Sequence, residues 1–252
     1  MDYGLKGRRA VVTAASSGLG HEIARTLARE GADIVLFARR EELLREAAAG
    51  LAAEFGVRTD YVAGDMRDRA AVDRLADTVA AAGGADVLVL NTGRPPQPML
   101  EVLDETDEQK WREGYEVQFW AAIQVVLALV PPMVERGYGR VVGVTSATVK
   151  QPMTKHGLST VFRAGLTGYL KHLANEIAHT GVTVNCVCPA LILTEGLRSS
   201  YNIDARAAAI PMKRGGKPEE LAATVAFFCS ELSGFTTGAS LQVDGGQTLA
   251  LT

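Results

Sequence analysis

Residues Arg9–Glu30 read RAVVTAASSGLGHEIARTLARE, and this stretch decides the fold of the chain. The apolar run Ala10–Val12 is typical of a buried strand, the small residues Thr13–Gly20 form a turn, and an amphipathic helix follows that Gly31 ends. Small residues let the backbone approach a pyrophosphate, and the start of the helix presents unpaired N–H groups. The pattern predicts the first half of a dinucleotide-binding unit. Taken alone, it also fits a turn that only packs a helix against a sheet.

The composition of the chain restricts its class. It has 252 residues, 47% hydrophobic and 22% charged, and a formal net charge of -3 that offers no basic field for nucleic acid or an anionic membrane. Its three cysteines and four histidines lack metal-ligand spacing, so we expect no bound metal and a reduced setting. The N-terminal residues lack the apolar core of a signal peptide, and no apolar run reaches membrane-spanning length. We therefore expect a soluble cytoplasmic protein.

Strand and helix patterns alternate along the chain, and no linker or repeat divides it. Such alternation predicts right-handed crossovers and a parallel sheet of about seven strands with helices on both faces, in one α/β domain over residues 1–252. The first strand and helix lie in Arg9–Glu30. The later strands are predicted at Asp33–Ala38, Arg58–Ala63, Val87–Leu90, Arg140–Thr145, Val182–Val187 and Ser240–Val243. The later helices are predicted at about 41–55, 68–82, 106–136 (bent near Pro131 and Pro132), 159–180 and 218–231.

A long segment without strong periodicity, Pro189–Lys217, follows the sixth strand. Ligands of open α/β sheets lie outside the carboxyl ends of the strands, so a loop at about 189–217 is expected to cover a substrate rather than to serve as a linker. Its apolar residues Leu191, Leu193, Leu197 and Met212 suggest an apolar lining that fits many substrates.

Four motifs, in order and at the right spacing, resemble those of the short-chain dehydrogenase/reductase family over nearly the whole chain. They are Thr13–Gly20 (TAASSGLG, for T-G-x-x-x-G-I-G), Leu90–Gly93 (LNTG, for N-N-A-G), Asn185–Ala190 (NCVCPA, for N-x-V-x-P-G) with Thr194 beyond, and Gly238–Gly246 (GASLQVDGG, for G-x-x-L-x-V-D-G-G). The resemblance implies a Rossmann-type doubly wound fold and a bound nicotinamide dinucleotide. It implies cofactor contacts from Thr13, Ala15, Ser16, Ser17, Gly18, Leu19, Gly20, Asn91, Thr92, Gly93, Pro189 and Thr194.

The end of the second strand indicates which dinucleotide binds. A carboxylate about 20 residues beyond the glycines would favour NAD, but Phe37–Arg40 reads FARR and contains no acid. Arginine pairs with a 2′-phosphate through charge-assisted bonds, so the sequence favours NADP(H) over NAD(H), through Arg39 and also Arg40. The alternative is that both arginines are a solvated start of a helix. Asp65 and Met66 resemble the family's adenine-contacting position, although Asp65 could equally be an ordinary loop carboxylate.

The catalytic positions depart from the family pattern, in which a serine polarises the substrate carbonyl and a tyrosine passes the proton. A lysine four residues later lowers the tyrosine pKa and holds the nicotinamide ribose, and an asparagine orders a relay water. Ser146 fits the serine, but Ser159 stands at the tyrosine position, Arg163 at the lysine position and Gln118 at the asparagine position. A serine hydroxyl is a far weaker acid than a phenol, and arginine binds ribose without exchanging protons.

The chain also resembles a divergent branch of the family, similar to β-ketoacyl-ACP reductases, in which the tyrosine and the lysine are replaced. Its N-T-G-x-P-P and V-K-Q-P motifs appear here in Asn91–Pro96 and Val149–Pro152, and it lacks the tyrosine and lysine. Among possible substitute acids, His156 lies on the loop that leads to Ser159, in the residue class best suited to proton transfer near neutral pH. The alternative for His156 is a loop or cap histidine that faces water. Lys150 and Lys155 flank the same loop and are more simply explained as solvated.

Three functions stay open at this point. The first is an NADP-dependent oxidoreductase that transfers a hydride to or from a carbonyl or alcohol, with Ser146 and an unconventional proton donor. The second is an NADP-binding protein without redox turnover, such as a sensor or a partner subunit. The third is a non-redox enzyme, such as a decarboxylase or isomerase, built on the same pocket. They differ in the group that lies within proton-transfer reach of the nicotinamide.

The resemblance also implies a homo-oligomer, a dimer or tetramer, in which two long helices pair across subunits, and a small-molecule substrate. Apolar stripes are present on both predicted helices, although such stripes are more commonly core. They consist of Trp120, Ile123, Val126 and Leu127 on the first helix and Phe162, Leu166, Tyr169 and Leu170 on the second.

Overall fold

The computed structural model describes residues 2–195 and 203–251. Its strands are β1 (Arg9–Thr13), β2 (Asp33–Ala38), β3 (Thr59–Ala63), β4 (Val87–Asn91), β5 (Gly139–Val144), β6 (Val182–Pro189) and β7 (Ser240–Val243). Its α-helices are α1 (Gly18–Arg29), α2 (Glu41–Phe55), α3 (Arg69–Ala81), α4 (Glu108–Tyr115), α5 (Ala121–Arg136), α6 (Gly157–Ile177), α7 (Ile203–Ala209) and α8 (Pro218–Cys229).

The seven strands form one parallel sheet in the order β3-β2-β1-β4-β5-β6-β7. The order reverses between β1 and β4, which opens a crevice at the carboxyl ends of these two strands, where ligands of such sheets bind. The predicted doubly wound parallel sheet of about seven strands is therefore confirmed, and it has the strand order of a Rossmann-type fold.

Two apolar layers explain why the strands are almost continuous hydrophobic runs. Helices α3, α5 and α6 pack on one face of the sheet, and α1, α2 and α8 pack on the other. Every residue of β2 and β5 is buried, as expected for strands covered on both faces. The cysteines Cys186, Cys188 and Cys229 are buried free thiols within these layers, and burial raises the pKa of all three.

The predicted long helix at 106–136 differs in detail. It begins at Glu108 because the carboxylate of Asp107, rather than Thr106, caps it by accepting the Gln109 N–H at 2.9 Å. A π-helical turn, Glu116–Trp120, lies between α4 and α5. Pro131 and Pro132 lie inside α5, which continues through both to Arg136.

This helical stretch also bears on the membrane expectation. Among the described residues, the helical stretch 108–136 is long enough and apolar enough to cross a membrane, judged by length and composition alone. The expectation that no apolar stretch reaches that length was therefore wrong. The share of its most apolar window that is buried inside the protein is 56%, and α5 packs in the layer with α3 and α6. Such burial is what a core helix shows.

Candidate active site

The turn between β1 and α1 brings the backbone close to the start of the helix. Gly18 has φ +60°, a conformation that glycine adopts without strain, and a Cβ on Gly20 would collide with the carbonyl of Ala14. Ala14 itself has φ +49°, at a position where the family motif has glycine. The α1 N-terminus therefore presents free N–H groups to the crevice, where a pyrophosphate would bind. Thr194 lies beside this turn, since its Cγ2 would be 3.8 Å from a Cβ on Gly18.

The turn residues divide between the core and the surface. Ala15 is fully buried, and Leu19 packs against the core around α1. Ser16 is half-buried and Ser17 is exposed, and both hydroxyls accept from Arg40. The side chains of Ala15 and Leu19 therefore support the turn, while the two serines remain available to a ligand.

Thr13 joins the two strands at the switch point. Its fully buried hydroxyl donates to the Asn91 carbonyl at 2.7 Å and accepts the Asn91 N–H at 2.9 Å. The structure thus places Thr13 beneath the crevice, where it fixes the end of β4. Thr92 follows, buried, and its hydroxyl has no hydrogen-bond partner within the described residues. A Cβ on Gly93 would lie 2.6 Å from Val117, so this segment passes close to the π-helical turn.

Two exposed arginines stand at the end of β2. Arg40 Nη2 donates to Ser17 Oγ at 2.7 Å and to Ser16 Oγ at 3.2 Å, so the guanidinium and both hydroxyls point to one spot beside the glycine turn. The charge of Arg39 acts on Asp65 at the end of β3. The sequence placed Arg39 first, whereas it is Arg40 that contacts the turn. The spot combines a cation with two hydroxyl groups, which is the chemistry that binds a phosphate.

Asp65 is committed to its own loop. Its carboxylate accepts from Arg67 through the backbone N–H at 2.9 Å and through the guanidinium at 2.8 Å. The hydrogen bonds from Arg67 lower the pKa of Asp65 in spite of partial burial, and Arg39 adds to the shift. Met66 is largely buried, and its side chain packs in the core layer with α3 and α5.

Ser146 lies just after β5 with its hydroxyl oriented by a neighbour. Its Oγ accepts from the Thr148 backbone N–H at 3.2 Å and from Thr148 Oγ1 at 2.9 Å. Both lone pairs of the Ser146 oxygen are therefore engaged, and its own O–H is left to donate to a ligand. Sequence reasoning missed Thr148, although a serine followed two residues later by threonine is a pattern of such local hydrogen bonds.

Arg163 is turned into the protein. The residue is 8% exposed, its Nη1 donates to the Val144 carbonyl at 2.7 Å, its Nη2 to the Gly93 carbonyl at 3.3 Å, and its Nε to Gln118 Oε1 at 3.2 Å. Burial lowers the pKa of Arg163 to about 10. The guanidinium therefore ties together the ends of β4 and β5, which leaves two of its five N–H donors for a ribose.

Gln118 and Ser159 are both buried next to this arginine. Gln118, in the π-helical turn, is fully buried, and its Nε2 has no hydrogen-bond partner in the part of the chain that the structure describes. Ser159 lies one turn before Arg163 on α6 and is 8% exposed. The structure thus brings the three altered catalytic positions to the carboxyl ends of β4 and β5, beside Ser146.

His156 precedes α6 and is half-buried. Its Nδ1 lies 2.8 Å from the Thr154 carbonyl, which assigns the proton of the neutral ring to Nδ1 and leaves Nε2 for exchange with a ligand. The segment 94–105 lies against this loop, because the Lys155 N–H donates to Glu101 Oε2 at 3.4 Å and a Cβ on Gly157 would meet Val102.

Part of the predicted substrate loop lines a cavity of about 380 Å³ near β7. Leu191 and Met212 contribute to it, Leu193 contacts Gly215 instead, and Leu197 lies outside the described residues. Pro189 ends β6 at the carboxyl edge. The apolar lining expected from the sequence is thus divided between this cavity and the loop's own packing.

Comparisons with known proteins agree with this geometry. The family model described as enoyl-(acyl carrier protein) reductase matches residues 13–248. A dehydrogenase/reductase SDR family member 4 from Bos taurus is 36% identical over 96% of this chain and 88% of its own length. Nodulation protein G from a Rhizobium strain is 35% identical over 97% of this chain and 98% of its own length.

Among solved structures, L-sorbose reductase from Gluconobacter frateurii, complexed with NADPH and L-sorbose, superposes with a TM-score of 0.92. It is 36% identical, and the alignment covers 100% of both chains. These similarities extend over the entire sheet and all the positions described above. The chain therefore belongs to the short-chain dehydrogenase/reductase family of NAD(P)-dependent oxidoreductases.

Proposed function

We propose that this protein is an NADP-dependent oxidoreductase that transfers a hydride to or from a carbonyl or alcohol substrate. The observation that carries the proposal is Arg40, whose guanidinium lies on the hydroxyls of Ser16 and Ser17 at the end of β2. A 2′-phosphate is the part of NADP that this cation and these hydroxyls would recognise. The NADPH complex of the similar L-sorbose reductase supports the choice of cofactor.

The remaining cofactor contacts follow from the order of the strands. The adenosine half would lie over β1, β2 and β3, the pyrophosphate at the start of α1, and the nicotinamide over β4, β5 and β6. Asn91, Thr92 and Gly93 line the crevice between the two halves, and the unpartnered hydroxyl of Thr92 is a group that a ligand could satisfy. Thr194 and Pro189 close the site from the β6 side.

The protein's part in the chemistry rests on Ser146 and a relocated proton donor. Bound NADP(H) supplies the hydride chemistry. Ser146, held by Thr148, donates its hydroxyl proton in a hydrogen bond to the substrate oxygen and so favours negative charge there. Ser159 is too weak an acid to replace a tyrosine, so we assign the proton transfer to His156. Because Nδ1 keeps its proton on the Thr154 carbonyl, Nε2 of the imidazolium would give its proton to the substrate oxygen in reduction, and Nε2 of the neutral ring would take a proton in oxidation. The Arg163 guanidinium fixes the floor of the site and adds a positive charge beneath it.

A second function, an NADP-binding protein without turnover, is favoured by one observation. Three N–H groups of Arg163 are engaged by protein acceptors, so the residue at the lysine position serves the protein more than a ribose or a phenol. Such a protein would bind NADPH at the same edge and lack an acid within reach of the nicotinamide. The difference between the two functions is therefore whether bound NADPH is consumed.

We also infer a cytoplasmic homo-oligomer, a dimer or tetramer. The apolar stripes of the two helices expected to pair across subunits are only partly exposed. Ile123, Val126, Leu166 and Leu170 are buried in the core, Phe162 and Tyr169 are half-buried, and Trp120 and Leu127 are exposed. Tyr115 on α4 and Val161 on α6 extend the exposed part. This smaller set is what remains for a second copy to cover.

The test is whether the protein oxidises NADPH in the presence of ketones or β-ketoacyl thioesters. The loss of NADPH absorbance measures this oxidation. We expect oxidation by the wild-type protein and a loss of about 10²–10⁴-fold in His156→Ala, the usual effect of removing a general acid, with NADPH affinity unchanged. His172→Ala, which replaces an exposed histidine on α6, is the matched control. Tight NADPH binding without oxidation would favour the second function, an NADP-binding protein without turnover. Full activity in His156→Ala would contradict the assignment of His156 as the proton donor.

A further inference from the structure

A buried amide on α5 holds the loop that follows β3. Gln124 is 6% exposed, and its Nε2 donates to the Met66 carbonyl at 3.1 Å and to the Arg67 carbonyl at 3.3 Å. Both amide protons of this side chain are therefore used on the backbone of two consecutive loop residues. A glutamine placed in a core with both protons committed in this way is an anchor for the loop it touches.

The loop in question belongs to the nucleotide edge of the sheet. It leaves the carboxyl end of β3, next to the end of β2 that carries Arg39 and Arg40, and in a doubly wound sheet one mononucleotide half lies over these strands. The charge of Arg39 reaches Asp65 across the same edge. The adenosine half of a dinucleotide would therefore be flanked by this loop.

Gly64, at the start of the loop, donates its N–H to the Ala38 carbonyl of β2 at 2.9 Å, within the sheet. The other hydrogen bonds that the structure describes for residues 65–68 are short-range and shape the turn itself. Arg67 donates to Asp65 two residues before it, the Asp68 N–H donates to the Asp65 carbonyl at 3.0 Å, and Asp68 caps α3. These bonds do not tie the turn to another layer of the protein. The bonds from Gln124 do so, because they span 58 and 57 residues of sequence and connect the turn to the helix layer beneath it.

We propose that Gln124 is a positioning residue for the adenosine half of the cofactor, acting through the backbone of Met66 and Arg67. The inference rests on the proposed function, since it presupposes that NADP(H) is the ligand. Six residues earlier, Gln118 bonds Arg163 at the ends of β4 and β5. One helical stretch thus supports the nicotinamide end through Gln118 and the adenosine end through Gln124.

The experiment compares ligands that carry one end of the cofactor each. Gln124→Met keeps the length of the side chain and removes both donors. We expect binding of adenosine 2′,5′-bisphosphate and of NADPH to weaken by up to about tenfold by calorimetry. That is the cost of returning a loop that has lost one to two hydrogen bonds to its binding conformation. The saturation-transfer NMR signal of reduced nicotinamide mononucleotide should stay unchanged, because that ligand lacks adenosine. A general loss of structure would instead weaken the binding of all three ligands and lower the melting temperature of the free protein.

A second variant guards against misfolding of the first. Gln124→His restores one neutral N–H donor at about the distance of the glutamine amide, and we expect it to recover part of the affinity for adenosine 2′,5′-bisphosphate. Equal affinity of wild type and Gln124→Met for this ligand, or equal weakening of the mononucleotide, would overturn the inference. Failure of the wild-type protein to bind any of the three ligands would instead overturn the proposed cofactor.

Discussion

If the proposed cofactor is right, replacement of Arg40 by alanine should weaken the binding of NADPH and leave the binding of NADH unchanged. The change removes the cation that lies 2.7 Å from Ser17 Oγ and 3.2 Å from Ser16 Oγ, and leaves the glycine turn and the start of α1 intact. A hydrogen bond to a charged group contributes roughly 1.5–3 kcal/mol. Arg40 is exposed, so water and salt screen it, and the lower limit applies, about tenfold in Kd. NADH lacks the 2′-phosphate, so its affinity should not change.

The assay is calorimetric titration of wild type and Arg40→Ala with NADPH and NADH at low and physiological salt. Arg45→Ala is the matched control, because Arg45 is an exposed arginine nearby on α2 and pairs with Glu42. We expect the NADPH preference to fall about tenfold in Arg40→Ala alone, and the difference to shrink as salt is added. Equal losses for both nucleotides, or no loss for NADPH, would refute the assignment of this spot to the 2′-phosphate.

Three further results are expected. Arg163→Met should lower the free energy of unfolding by about 2–4 kcal/mol in urea titration, because it leaves the carbonyls of Gly93 and Val144 without their donor; an unchanged midpoint would contradict this. Ala14→Gly should raise the melting temperature by about 1–3 °C, since φ +49° strains alanine and suits glycine; a lower melting temperature would contradict it. Burial raises the pKa of Cys186 to about 12 and also raises the pKa of the other two thiols. A thiol reagent at mildly alkaline pH should therefore label none of the three cysteines in the native protein and all three in guanidinium chloride. Rapid labelling of the native protein would contradict this expectation.

The fold followed from the sequence because local patterns and long-range packing agree. Strands buried on both faces are written as continuous apolar runs, and Gly31 and Gly56 stand just past the ends of helices α1 and α2. The start of α4 was misplaced because Thr106 and Asp107 are both good caps, and only the observed hydrogen bond to Gln109 decides between them. The π-helical turn at Glu116–Trp120 has no simple sequence signal.

The sequence predicts where the residues of the candidate site stand in the fold, but it does not predict where their side chains point. Motif spacing located Ser146, Ser159 and Arg163, whose places follow from strand ends and helix phase. Spacing cannot say that the guanidinium of Arg163 turns toward two backbone carbonyls, since that depends on the ends of β4 and β5, which are far apart in sequence. The contact of Gln124 with the loop after β3 could not be predicted for the same reason, because the Met66 and Arg67 carbonyls lie 58 and 57 residues away in sequence.

Isotope transfer from the cofactor tests the proposed function most directly. NADPH carrying deuterium at C4, on one face of the nicotinamide and then on the other, would be mixed with the protein and the panel of ketones and β-ketoacyl thioesters. We expect deuterium at the carbinol carbon of a product from one of the two labelled forms only, because a fixed nicotinamide presents one face to the substrate. Tight binding of NADPH with no transfer of label to any member of the panel would contradict a hydride-transferring enzyme.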